Sequence, residues 1–114
     1  MTLIFKIVPE TLWQEALDRK VFQGAPVDLA DGFIHFSDPD QVKETAAKHF
    51  AGQQDLLLVA FEADGFGDEL KWEPSRGGAL FPHLYATFDP AAALWVKDLP
   101  LAEDGTHVFP ELSR

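Results

Sequence analysis

Hydrophobic and polar positions change period several times along the chain, and each change predicts an element. Leu3 to Val8 is an apolar run that predicts a strand. Pro9 opens a helix, because proline is tolerated in a first turn. Trp13, Ala16 and Leu17 give that helix an apolar stripe, and Glu15 with Arg19 forms an i,i+4 pair. Gly24 to Asp31 is rich in Pro, Asp and Gly and reads as a loop.

Gly32 to Phe36 alternates and predicts a second strand. Ser37 is placed to cap the next helix, with Asp40 three residues on in a capping-box position. That helix is expected to run to Phe50 and to end at Gly52. Its expected inward face is Val42, Thr45, Ala46, His49 and Phe50. Leu56 to Phe61 is apolar on both faces, which predicts a central strand. Asp64 to Gly67 turns, and Leu70 to Glu73 is a short strand. Ala79 to Phe88 holds another strand, broken by Asp89-Pro90. Ala93 to Leu99 reads as a last core strand with Trp95 and Val96 buried, and the tail around His107 is a candidate edge. The order predicts one compact α+β domain over residues 1–114, mostly antiparallel, with two main helices.

Composition narrows the function classes. The chain has 114 residues, 46% hydrophobic and 25% charged, as a soluble globular domain has. It has no cysteine, which excludes disulfides, thiolate metal sites and a cysteine nucleophile. No run nears the roughly 20 apolar residues of a membrane span, and no secretory signal is visible, so a cytoplasmic protein without a membrane partner is expected. The net charge of −10 and the lack of a basic stripe argue against a long nucleic acid partner. A small-molecule ligand is expected instead.

Strand alternation supplies the candidate chemistry. Ile34 and Phe36 point one way, and Phe33, His35 and Ser37 the other. Leu84, Ala86 and Phe88 share one face, and Phe81, His83, Tyr85 and Thr87 the other. The apolar rows would pack the core. The opposite rows combine aromatic faces with polar tips, which suits a flat, partly polar ligand. The predicted cleft is lined by Phe33, His35, Ser37, Phe81, His83 and Tyr85, with Glu73 and Arg76 at its mouth. Glu73, at a strand end beside a glycine loop, is a candidate general base or a ligand for ribose hydroxyls. Zinc accepts three imidazoles, but no histidine spacing supports a set of His35, His49 and His83, and no metal is expected. Gly77-Gly78 lacks the lysine and helix of a phosphate-binding loop.

The pieces Asp31-Gly32-Phe33-Ile34-His35-Phe36-Ser37, Gln41-Val42, Thr45-Ala46, Trp72-Glu73 and Phe81-Pro82-His83-Leu84-Tyr85 resemble the DUF952 family of small, mainly bacterial proteins. The resemblance covers nearly the whole chain. It implies a fold distantly similar to the ADP-ribosyltransferase superfold, and the element order looks like its RNA 2′-phosphotransferase branch. There the histidine of a His-Leu-Ser strand helps bind NAD, and by position it matches His35. The resemblance thus implies NAD or an ADP-ribose-like nucleotide as ligand or substrate. His35, His83 and Glu73 would be catalytic, and Phe33, Ser37, Arg76, Phe81 and Tyr85 would bind ligand. An enzyme would be a transferase or hydrolase. The alternative is a non-catalytic module for a small metabolite or a protein partner.

Overall fold

The structure is a computed structural model that describes residues 2–113, the Arg76 side chain excepted. Two antiparallel three-stranded sheets form its frame. The first has the order β1 (Leu3–Pro9), β3 (Leu56–Glu62), β6 (Trp95–Asp98). The second has the order β2 (Ile34–His35), β5 (Leu80–Leu84), β4 (Leu70–Pro74). Helices α1 (Glu10–Arg19), α2 (Pro26–Asp31) and α3 (Val42–His49) connect the early strands.

β3, apolar from Leu56 to Phe61, is the middle strand of its sheet and is covered on both faces, as its sequence requires. On one face Ile4, Val8, Val59 and Phe61 pack with Trp13 of α1 and with Ile34, Phe36, Leu84 and Phe88. On the other, Phe5, Ile7, Leu58 and Ala60 pack against Val42 and Ala46 of α3. Phe61 and Phe88 meet edge-on at 4.9 Å, the geometry that ring quadrupoles favour.

Two backbone bonds join the sheets. Phe5 donates to the Ser37 carbonyl at 2.8 Å and Ser37 donates to that of Phe5 at 2.9 Å. This isolated bridge carries the chain that follows the short β2 onto β1.

Several expectations need correction. Residues Pro26–Asp31 are helical, not a loop. Pro26 sits at the first helical position, the Asp28 carboxylate accepts from the Ala25 N–H at 2.7 Å, and Gly32 closes the end with φ 88°. Only glycine reaches that conformation without steric cost. Six residues are too few to show a periodic stripe. The capping box is also displaced by one residue. Asp38 Oδ1 accepts from Gln41 N at 2.9 Å while Asp38 N donates to Gln41 Oε1 at 3.1 Å. Ser37 Oγ instead bonds Thr45 Oγ1 at 2.8 Å. His49 is exposed at the end of α3 rather than inward. Val96 is 41% exposed because β6 is an edge strand. Among the described residues the tail makes a single bridge, Leu101 with His107, and adds no strand to either sheet.

Candidate functional site

The polar face of the second sheet carries the chemistry. Residues opposite each other in antiparallel strands point to the same side. His35 of β2 faces His83 of β5, and His83 faces Lys71 of β4. One row later Glu73 faces Phe81. Two imidazoles, an ammonium and a carboxylate therefore share one surface. The His35 and His83 rings lie 5.5 Å apart at 69°. Phe33 packs against three of its neighbours, 4.6 Å from His35, 4.1 Å from His83 and 5.4 Å from Tyr85.

Each histidine is oriented through Nδ1 by a carboxylate. His83 Nδ1 donates to Glu73 Oε1 at 2.9 Å, and the Tyr85 hydroxyl donates to the same oxygen at 2.7 Å. A carboxylate only accepts, so Nδ1 carries the proton, and whenever the ring is neutral Nε2 is the acceptor. Those two hydrogen bonds, Tyr85 first, hold the Glu73 carboxyl below its ordinary value, and Glu73 in turn pushes the Tyr85 phenol up. His35 Nδ1 donates to Asp28 Oδ1 at 2.6 Å, and His35 Nε2 stands 2.9 Å from Asp31 Oδ2.

Asp28 is the buried centre of this half of the site. It accepts from Ala25 N at 2.7 Å and from His35 N at 3.1 Å, and its Oδ2 pairs with Lys6 Nζ at 3.1 Å. Burial pushes its carboxyl up, but the His35 ring, the Lys6 ammonium and the two backbone N–H groups outweigh burial and leave it below the ordinary value. For Lys6 burial wins, and its ammonium is pushed down despite Asp28. Lys6 Nζ also donates to the His35 carbonyl at 2.9 Å.

These groups edge a cleft of about 500 Å³ where the two sheets and α3 meet. His35, His83, Ser37 and Phe81 line it, as their strand phase predicts. Asp31, Thr45, His49 and Ser75 add polar groups, and Phe5, Ile7, Phe36 and Phe50 form an apolar floor. Phe33 and Tyr85 stand outside the lining, with Phe33 packed against both histidines. Glu73 likewise stands outside the lining and meets it through its hydrogen bond with His83. The Ser75 to Ala79 loop closes on itself, with Ser75 N donating to Ala79 O and Gly78 N to Ser75 O, both at 2.9 Å. Arg76 opens the short turn Arg76–Gly78, and its side chain lies outside the described residues.

Lys6, Asp28, Asp31 and Lys71 are site groups that the sequence reading did not find. Lys6 left one signal, a charge inside an otherwise apolar strand. Lys71 needed the register of β4 against β5.

A family model described as a protein of unknown function (DUF952) matches residues 7–96. The crystal structure of protein CC0527 from Caulobacter crescentus is similar to the chain at 50% identity, with a TM-score of 0.91 and 94% of each chain covered. The solution structure of the same Caulobacter crescentus protein is 51% identical, with a TM-score of 0.84, covering 93% of this chain and 91% of that one. No curated protein matches.

Proposed function

The chain belongs to the DUF952 family, whose description assigns no function, and we propose that its cleft binds and cleaves a nucleotide of the NAD or ADP-ribose type. The observation that carries this reading is the pair of imidazoles 5.5 Å apart, each held through Nδ1 by a carboxylate. His83, oriented in this way by Glu73, is pre-set for proton transfer at Nε2, and His35, whose Nε2 meets Asp31, is set to bind.

In this reading the apolar floor takes the flat ring of the ligand, and the polar wall of His35, Ser37 and Thr45 takes ribose or diphosphate oxygens. The volume is within the range of small-molecule sites. Cleavage of the N-glycosidic bond of NAD would use water as the nucleophile. The bond from ribose C1′ to the nicotinamide nitrogen breaks, a bond from C1′ to the water oxygen forms, and His83 Nε2 takes the water proton. Glu73 acts as the positioning residue of His83. We further propose that the two sheets joined at Phe5 and Ser37 are those of the ADP-ribosyltransferase architecture. The support is a strand bearing His35 that runs through Ser37 into a helix, beside a second sheet.

Calorimetric titration of NAD and ADP-ribose, with chromatographic assay of nicotinamide release, tests the reading. Binding with release supports it, and His83→Ala should abolish release while leaving binding. Binding without release in the wild type would turn the site into a non-catalytic module. No binding of either nucleotide would overturn the reading.

A further inference from the structure

The two carboxylates on His35 differ in kind. Asp28 is sealed, its side chain 1% exposed, and its charge is matched by Lys6. Asp31 is 49% exposed at the last position of α2, and among the described residues its ion pair is with His35 Nε2. Both ring nitrogens face carboxylate oxygens, so both contacts are hydrogen bonds only when both nitrogens carry protons. When both carry protons the ring is positive, and with Lys6 and Asp28 cancelling, that charge is left to Asp31. Asp31 also occupies a poor electrostatic position, because a carboxylate at a helix C-terminus faces the negative end of the backbone dipole. An exposed pair of this kind is weak.

From this geometry we infer that Asp31 is a displaceable counter-ion that holds His35 Nε2 in reserve for an anionic group of the ligand. The incoming group must resemble a carboxylate in charge and in its acceptor oxygens, and a phosphate or diphosphate oxygen does. On binding, that oxygen takes the Nε2 proton contact and Asp31 turns to solvent. Asp28 and Lys6 keep the ring fixed throughout. Asp31 thereby determines specificity, since a neutral ligand cannot compensate His35 after displacing it. The inference deepens the nucleotide reading by assigning the subsite of the diphosphate.

Inorganic pyrophosphate is the probe. It is titrated at constant ionic strength into wild type, Asp31→Asn, Asp31→Ser and Asp31→Asn/His35→Gln, with the histidine ring nitrogens followed by NMR. Both single variants should bind roughly two- to fivefold tighter than wild type, the worth of an exposed ion pair. The His35 Nε2 signal should move with saturation, and the double variant should lose the gain. Unchanged or weaker affinity in both single variants would overturn the inference. So would a gain that persists without His35, or no pyrophosphate binding in any variant. If pyrophosphate behaves as expected while NAD and ADP-ribose bind no variant, the counter-ion stands and the nucleotide reading falls.

Discussion

Lys6 of the first sheet donates a 2.9 Å hydrogen bond to the carbonyl of His35 in the second. That bond lies one residue from Phe5 and two from Ser37 of the bridge, so backbone and side chain together clamp the two sheets beside the cleft. The same ammonium answers the charge of Asp28, which holds the His35 ring. One lysine thereby fixes both the backbone and the imidazole of a candidate catalytic residue.

Lys6→Met should destabilise the fold by about 3–5 kcal/mol, the usual cost of leaving one partner of a buried pair uncompensated. Lys6→Met/Asp28→Asn should recover part of that loss, because no charge is then stranded. Urea unfolding followed by circular dichroism measures both. A loss in the single variant within experimental error of zero would show that Asp28 is satisfied without Lys6.

Asp28 should make stability depend on acid pH. Its folded value lies below the ordinary 3.8. A carboxyl depressed in this way contributes stability above its unfolded value and loses it as pH falls through the folded one. The stability gap between wild type and Asp28→Asn should therefore be full at neutral pH and shrink below about pH 4. Denaturant titrations from pH 7 downward check this. A gap that stays constant through acid pH would mean that the charge on Asp28 contributes nothing.

The chain has one tyrosine, so tyrosinate absorbance reads Tyr85 alone. Its hydrogen bond to Glu73 should place the phenol midpoint above its ordinary 10.0. In Glu73→Gln the midpoint should move down. The same variant should slow any nicotinamide release without weakening nucleotide binding, because Glu73 reaches the cleft through His83. An unmoved tyrosinate midpoint would dissolve the Glu73, His83 and Tyr85 group.

His35→Ala should weaken nucleotide binding by about tenfold or more, the worth of a hydrogen bond to a charged group. His107→Ala should leave binding unchanged, since His107 Nε2 is engaged with the Gln53 carbonyl at 3.0 Å and does not line the cleft. Equal losses in the two variants would make the His35 contribution purely structural.

Much of the frame is legible in the sequence. Alternation alone separates Ile34, Leu84 and Phe88, which are core, from His35 and His83, which edge the cleft. The unbroken apolar run of β3 announces a strand covered on both faces. The electrostatics were not legible in the same way. Asp28 lies in a segment whose Pro, Asp and Gly content suits a loop, yet those residues start and stop a six-residue helix. Lys6 pairs with a residue 22 positions away, a contact that no local period encodes. The capping box moved by one residue because Ser37 was already committed to the bridge with Phe5.

The shortness of β2 bears on how mutational maps of this protein are interpreted. Two residues cannot hold a register on their own. The aim of the His35 ring is therefore set by Lys6, by a buried aspartate of the preceding helix and by a neighbouring sheet. A scan for lost ligand binding will return positions scattered over β1, α2 and β5, many of them remote from the ligand. Binding loss by itself gives no address. A position belongs to the cleft when its substitution lowers affinity and leaves the unfolding midpoint unchanged.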